Sequence, residues 1–245
     1  MMTIKERISV LREELQREHL AAFIFPTTDP HNSEYTAEHW KGREWISGFD
    51  GSAGTAVVTM NEAALWTDSR YFIAAAEQLK GTEFVLMKER VSGTPTITQW
   101  LGDVLRNIRS PQVGIDGMVS STAEVEELIT GLRHEGGITL RTNFDPLTII
   151  WKDRPAIPQN LVFIQPLEYA GEACREKISR VRRALRQKHA DGMLVASLDD
   201  IAWMLNLRGS DVHCNHVFVS YLLISSTKVT LFIDKKKLSS SVLAY

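Results

Sequence analysis

The sequence restarts after about 170 residues, and this internal repeat constrains the fold more than any other feature. Residues 176–179 (Glu-Lys-Ile-Ser) echo residues 6–9 (Glu-Arg-Ile-Ser), and the apolar residues 193–195 match residues 23–25 at the same offset. Self-similarity at a fixed spacing indicates that one structural unit is used twice. The chain therefore has to be understood as two related units.

Within the first unit, helical and strand-like patterns alternate. Thr3 and Glu6 form a capping-box pattern ahead of a helix, and Ser121 and Glu124 form another ahead of a later helix. An apolar strand follows the first helix over residues 21–25. Residues 55–60 and 63–67 predict a hairpin of two strands. Helical patterns separate the later strands. Strands separated by helices predict an α/β fold in which helices cover a sheet.

The best candidate for a linker is Arg154–Pro158, whose two prolines favour an extended segment. We therefore expect one domain over residues 1–158 and a second over residues 159–245. The second repeat reaches only the place equivalent to Leu79. This predicts one complete unit followed by the first half of another, as in a truncated fragment.

Composition excludes several classes of protein. Of 245 residues, 44% are hydrophobic and 24% are charged, which is sufficient for a folded core and excludes a disordered chain. The net charge of −2 argues against nucleic acid as a partner. Two cysteines fit a reducing compartment. No apolar run approaches the roughly 20 residues of a membrane span, so we predict a soluble cytoplasmic protein without a membrane partner.

Basic side chains are concentrated between residues 175 and 188. They alternate with Ile178, Val181 and Leu185 at helical spacing, which is typical of a solvated helix face. A nucleic-acid surface would carry aromatic side chains beside these charges, and the segment has none. The basic residues of this predicted solvated face are Arg175, Lys177, Arg180, Arg182, Arg183, Arg186 and Lys188.

Two segments are weak candidates for chemistry. His213, Cys214 and His216 lie near Asp211, but without a CxxC or HExxH partner a polar loop ahead of a strand at 217–224 is favoured over a metal site. In the glycine-rich loop 48–55, Ser52 could act as a nucleophile with His31 or His39 and Asp68. The loop lacks the G-x-S-x-G pattern, so a structural turn is favoured.

Arg70 is the stronger candidate. It follows a predicted strand and precedes a predicted helix, a position from which α/β proteins commonly contact ligands. Its guanidinium could bind a carboxylate or carbonyl group. An ion pair with Asp68 or Asp50 explains the same residue equally well, so both interpretations remain open.

Long motifs in the chain resemble the N-terminal part of the cytosolic, three-domain Xaa-Pro aminopeptidases (aminopeptidase P). The resemblance extends over essentially the whole chain. The motifs that carry it are residues 31–35 (His-Asn-Ser-Glu-Tyr), 47–55 (Ser-Gly-Phe-Asp-Gly-Ser-Ala-Gly-Thr), 66–72 (Trp-Thr-Asp-Ser-Arg-Tyr-Phe), 150–155 (Ile-Trp-Lys-Asp-Arg-Pro), 169–172 (Tyr-Ala-Gly-Glu), 200–212 (Asp-Ile-Ala-Trp-Met-Leu-Asn-Leu-Arg-Gly-Ser-Asp-Val), and 214–215 (Cys-Asn) with 217–221 (Val-Phe-Val-Ser-Tyr).

This resemblance implies two homologous creatinase-like N-terminal domains, each a mixed β-sheet flanked by helices, the second of them truncated. It also implies a third, "pita-bread" domain with two manganese-type ions, whose ligands lie outside this sequence. Such an enzyme removes the first residue of a peptide that has proline second. This chain would then hold no catalytic residue and no metal or cofactor of its own.

The resemblance assigns one functional residue, since Arg70 matches an arginine that binds the peptide substrate. Asp50 and Ser52 match the same domain's loop and are candidates for residues that face the cleft. We therefore expect a non-catalytic region that shapes substrate access, contributes to oligomer contacts and belongs to a homodimer when full length. The alternative is a stand-alone peptide-binding or dimerisation module without catalysis.

Overall fold

A computed structural model describes residues 2–245 of the chain. Residues up to Glu34, together with His39–Pro155, form one compact unit. Tyr35–Glu38 and Ala156–Tyr245 form a second. In the described part of the chain, no helix is both long enough and apolar enough to cross a bilayer.

The first unit is built on six strands and six α-helices among its described residues. In chain order they are α1 (Ile4–Arg17), β1 (Ala22–Pro26), α2 (Gly42–Ser47), β2 (Thr55–Thr59), β3 (Ala63–Thr67), α3 (Phe72–Gln78), β4 (Phe84–Lys88), α4 (Ile97–Leu105), β5 (Gln112–Ile115), α5 (Thr122–Gly136), β6 (Thr139–Arg141) and α6 (Leu147–Ile150). A short 3-10 helix, Glu38–Trp40, precedes α2.

These strands form one mixed sheet in the order β4-β3-β2-β1-β5-β6. β2 runs antiparallel to both of its neighbours. The pairs β3–β4, β1–β5 and β5–β6 are parallel. The carboxyl ends of β1, β3 and β5 therefore lie at the same edge of the sheet. The loops that follow these three strands begin at that edge.

Side chains alternate between the two faces of this sheet. Phe23 and Phe25 of β1 enter a core beneath α1, α2 and α6. Ile24, between them, enters the opposite core beneath α4 and α5. Because successive strand residues point to opposite faces, a fully apolar strand needs helices on both sides. The predicted α/β fold, a mixed sheet flanked by helices, is confirmed.

Local signals in the sequence form as predicted at several places. Thr3 and Glu6 cap α1 reciprocally, and Ser121 and Glu124 do the same for α5. In the turn of the β2–β3 hairpin, Thr59 Oγ1 accepts the backbone N–H groups of Asn61 and Glu62. These contacts satisfy backbone donors that would otherwise lack partners.

The second unit repeats part of this plan. Its elements are β7 (Phe163–Ile164), α7 (Leu167–Ala170), α8 (Cys174–Gln187), β8 (Gly192–Val195), α9 (Leu198–Leu205), β9 (Leu207–Arg208), β10 (Tyr221–Ser225), β11 (Val229–Phe232), a 3-10 helix at Lys235–Lys237 and α10 (Ser240–Ala244). β8, β10 and β11 form an antiparallel sheet in the order β11-β10-β8. A separate pair joins β7 and β9.

Two expectations about this unit are wrong. The strand predicted over residues 217–224 begins only at Tyr221. Just before it, the Val219 N–H donates to Asp211 Oδ2 at 2.7 Å, so this backbone group does not pair with a neighbouring strand. Lys177 does not lie on a solvated face but is 2% exposed. Its Nζ donates to Asn206 Oδ1 at 2.6 Å and to the Trp203 carbonyl at 3.0 Å.

Candidate functional site

A cleft of about 800 Å³ opens at the edge of the first unit's sheet where β1, β3 and β5 end. Its floor includes Ile24, Trp66 and Ile115, and its rim carries Ser52 and Arg70. Clefts of this size, apolar at the base with a few polar groups, are the usual form of a ligand site. The carboxyl ends of strands in open α/β sheets are also the usual place for one.

Arg70 lies in the turn between β3 and α3, as the sequence predicts. Its Nε donates to Asp68 Oδ1 at 3.0 Å and its Nη2 donates to Asp68 Oδ2 at 2.8 Å. The Arg70 backbone N–H also donates to Asp68 Oδ1 at 3.0 Å. Because the carboxylate accepts all three bonds, the pKa of Asp68 is lowered and that of Arg70 is raised.

This fork resolves which ion pair Arg70 makes, since Asp68 is its partner and Asp50 is not. Asp50 instead accepts from Gln78 Nε2 at 2.7 Å, and its own backbone N–H donates to Gln78 Oε1 at 3.1 Å. The Arg70 side chain remains 63% exposed, and the fork uses two of the five guanidinium N–H donors. The ion pair therefore leaves the side chain able to bind a ligand.

Tyr71 connects Arg70 to Ser52. The guanidinium carbon of Arg70 lies 5.3 Å from the centre of the Tyr71 ring, and the Tyr71 hydroxyl lies 2.7 Å from Ser52 Oγ. Cation–π contact and hydrogen bonding thus fix one geometry for three side chains. Ser52 is engaged by a tyrosine, and Asp68 by Arg70. The His39 ring contacts the Pro155 carbonyl, so Ser52, His39 and Asp68 do not form a Ser-His-Asp arrangement.

The glycine-rich loop is held from inside by Arg43, which sequence reasoning missed. Arg43 is 4% exposed and donates to the carbonyls of Phe49 and Gly51 and to Thr27 Oγ1. Burial lowers the pKa of Arg43 to about 10. A cation placed among carbonyl oxygens stabilises a turn that has few backbone partners of its own.

Close packing explains the glycines of this loop. A Cβ added at Gly54 would lie 2.8 Å from the Trp66 carbonyl oxygen, and one at Gly51 would overlap the rings of Phe49 and Tyr71. Any larger residue would displace the loop from β3 or from the tyrosine. Both glycines therefore bring the loop close to the turn that carries Arg70.

The histidine loop of the second unit does not assemble a metal centre. His213, Cys214 and His216 are exposed, and Asp211 is buried against Lys237. Among residues 2–245, no three His, Cys, Asp or Glu side chains cluster as metal ligands would. The described residues therefore offer no ligand set that would fit a two-ion centre.

Lys177, like Arg43, is a buried cation whose burial was not predicted from the sequence. Its Nζ lies 4.5 Å from the centre of the Trp203 ring, and Arg180 lies over the same ring at 5.6 Å. Desolvation lowers the pKa of Lys177. An aromatic side chain that is distant in sequence thus packs beside the basic helix, although the helix itself has none.

Comparison with known proteins identifies relatives along the entire chain. Two family models described as the Creatinase/Prolidase N-terminal domain match residues 7–147 and 153–245. A probable Xaa-Pro aminopeptidase P of Aspergillus niger is 40% identical over 241 residues, which are 98% of this chain and 39% of the relative. Another from Paracoccidioides brasiliensis is 37% identical over 97% of this chain and 38% of the relative.

A solved structure gives the same result. The crystal structure of an X-prolyl aminopeptidase from Caenorhabditis elegans, described as a cytosolic enzyme with a di-nuclear active site, superposes with a TM-score of 0.90 and 32% identity. The match takes in 100% of this chain and 41% of that protein. This chain thus spans about two fifths of the length of its relatives. It belongs to the Creatinase/Prolidase N-terminal domain family.

Proposed function

We propose that the chain is the non-catalytic N-terminal region of a metal-dependent Xaa-Pro aminopeptidase, whose substrates are peptides with proline second. The observation that carries this is the C. elegans match, which extends over the whole of this chain at 32% identity. The two divalent ions would be held by a separate catalytic domain, since the residues described here offer no set of ligands. We infer a cytoplasmic homodimer for the full-length protein.

Arg70 is the substrate-binding residue of this proposal. Three of its N–H donors are not used by Asp68, and it stands at the rim of the cleft. The guanidinium would bind a carbonyl or carboxylate oxygen of the peptide. Ser52, through Tyr71, helps to define that rim, and Asp50 fixes the loop through Gln78.

The first experiment separates binding from catalysis. The 245-residue chain is incubated with Arg-Pro-Pro and Mn²⁺, and free arginine is measured. We expect no release, because the chemistry would belong to another domain. Release of arginine above the rate of a metal-free control would contradict the proposal.

The second experiment tests Arg70. This chain replaces the matching two fifths of the C. elegans enzyme, and kcat/KM and metal content are measured for the chimera. Losing a charge-assisted hydrogen bond costs about 1.5–3 kcal/mol, so Arg70→Ala should lower kcat/KM about 10- to 150-fold. Metal content should stay unchanged.

Arg106→Ala is the matched control, because Arg106 is an exposed arginine at the end of α4. It should leave kcat/KM as it was. Equal kinetics for the two variants would refute the role of Arg70. A chimera that is folded and loaded with metal but inactive would refute the assignment of the whole region. That result is the one expected for the alternative, a binding module without catalysis.

A further inference from the structure

A second arginine, Arg90, stands with Arg70 at the rim of the cleft. It follows β4, which pairs in parallel with β3, and the Glu89 N–H donates to the Thr67 carbonyl at 3.0 Å. The turns that carry the two arginines therefore leave the sheet from neighbouring strands, about 5 Å apart. The pKa of Asp68 is lowered by the hydrogen bonds from Arg70 and, to a smaller extent, by the charge of Arg90.

Arg90 has no structural partner that would explain its presence. Its side chain is exposed, and within residues 2–245 its guanidinium makes no hydrogen bond or salt bridge, whereas that of Arg70 is held by Asp68. Its φ is +61°, a left-handed conformation that glycine adopts freely but that costs energy for a residue with a Cβ. The same loop has glycine at its next such position, Gly93. An arginine in this conformation with all five N–H donors free points to a ligand rather than to folding.

The charges of the cleft are separated along its length. Arg70 and Arg90 stand where β3 and β4 end, while Glu124 and Glu127 line the cleft from α5, which follows β5. Three strand spacings separate β3 from β5 in the sheet, or about 14 Å. An extended peptide of about four residues has this length. Because like charges repel, a carboxylate in the cleft is directed away from α5 and towards the arginines.

Two further carboxylates of the cleft leave the arginine donors available. Glu34 and Glu89 also line it, and the pKa of Arg70 is raised mainly by Asp68 and to a smaller extent by the charge of Glu34. In the described part of the chain, however, neither glutamate forms a salt bridge with Arg70 or Arg90. The guanidinium donors that a ligand would use are therefore not occupied by these neighbours.

We propose that Arg90 and Arg70 together bind a carboxylate of the substrate peptide, supplied by a free C-terminus or by an acidic side chain shortly after the proline. This proposal rests on the proposed function of the cleft as a peptide site. A carboxylate accepts two parallel charge-assisted hydrogen bonds from a guanidinium, and a neutral amide does not. Arg90 is then a specificity-determining residue that favours a short peptide with a free carboxylate over its amide.

Arginine side-chain NMR tests this binding in the 245-residue chain itself. The chain, labelled with 15N-arginine, is titrated with Arg-Pro-Pro-Gly, with its C-terminal amide and with Arg-Pro-Asp-Gly-amide, and Arg90→Gln assigns the Arg90 Nε–H signal. We expect this signal to shift saturably with a carboxylate peptide and not with Arg-Pro-Pro-Gly-amide. A shift with Arg-Pro-Pro-Gly identifies the C-terminus as the ligand, and a shift with Arg-Pro-Asp-Gly-amide identifies the side chain.

Kinetics of the chimera test the specificity. Arg90→Gln should lower kcat/KM for the carboxylate peptide about tenfold more than for Arg-Pro-Pro-Gly-amide, mainly through KM. Arg106→Gln is the control, because Arg106 is exposed at the end of α4 and does not line the cleft, and it should leave both rates unchanged. Arg90→Gly removes the side chain but suits a φ of +61°, so it should lose the same preference without a lower Tm.

Three results would overturn the proposal. The first is the absence of an Arg90 shift with either carboxylate peptide up to its solubility limit. The second is an unchanged ratio of carboxylate to amide kinetics in Arg90→Gln, which leaves the proposed function intact as long as the chimera hydrolyses the amide. The third is a lower Tm for Arg90→Gly together with unaltered specificity, which would make Arg90 structural.

Discussion

Replacement of Arg43 by methionine removes the side chain that holds the glycine-rich loop. Methionine keeps an unbranched apolar stem but is shorter than arginine and donates no hydrogen bond. The carbonyls of Phe49 and Gly51 and the hydroxyl of Thr27 would each lose a donor. Because the site is 4% exposed in the native protein, water can replace those donors only if the loop moves.

The cost of this change follows from two opposing contributions. Three charge-assisted hydrogen bonds contribute about 4.5–9 kcal/mol in total at about 1.5–3 kcal/mol each. Burial lowers the pKa of Arg43 to about 10, which corresponds to a cost of about 3 kcal/mol for keeping the cation inside. The difference favours arginine by roughly 1.5–6 kcal/mol, so about 3 kcal/mol is a fair central value. For a unit of this size that lowers the Tm by about 6–12 °C.

Differential scanning calorimetry measures this loss in the transition of the first unit. Arg106→Met is the control, because Arg106 is exposed at the end of α4, and we expect a change below about 0.5 kcal/mol there. Arg43→Lys should fall between the wild type and Arg43→Met, since an ammonium cannot reproduce the fork of a guanidinium. A Tm for Arg43→Met within 1–2 °C of the wild type, with the loop in place, would refute the reasoning.

Two further predictions concern titratable groups, His39, which is partly buried, and Lys237, which is buried. Burial lowers the pKa of His39, so the unfolded chain binds the proton more tightly and stability should fall as the pH drops below about 6.5. His39→Gln should flatten the dependence of Tm on pH between about 5 and 7, whereas His134→Gln, at an exposed site, should not. Lys237→Met leaves the Asp211 carboxylate buried without its cation and should cost about 3–5 kcal/mol in urea unfolding. Lys235→Met, on the exposed side of the same turn, should cost much less.

Short-range patterns in the sequence predicted the parts of the fold that short-range physics determines. Capping boxes at Thr3 and Ser121 formed because each needs only residues three apart. The uninterrupted apolar run over residues 21–25 predicted a strand, and Phe23, Ile24 and Phe25 lie in the cores on both faces of the sheet. The position of Arg70 after β3 followed from the same local reasoning.

The groups that sequence reasoning missed are cations whose partners are distant or are backbone atoms. Arg43 donates to two carbonyls, which carry no sequence signature. Lys177 was assigned to a solvated face because it lies among arginines, yet Trp203 and Asn206, more than 25 residues away, bury it. Helical periodicity shows which side of a helix is apolar, but it does not show what packs against its ends.

The repeat also indicates whether Arg70 is required for folding. Asp234 in the second unit corresponds to Asp68, and it makes the same turn, with its Oδ1 accepting the Lys236 N–H at 3.0 Å. Its Oδ2 accepts from Gln159 at 3.0 Å rather than from the basic residue two positions later. The turn therefore forms without an arginine fork, so folding alone does not require Arg70. We expect Arg70→Lys to leave the Tm of this chain unchanged while it lowers kcat/KM in the chimera, and a fall in Tm with unaltered kinetics would make the residue structural.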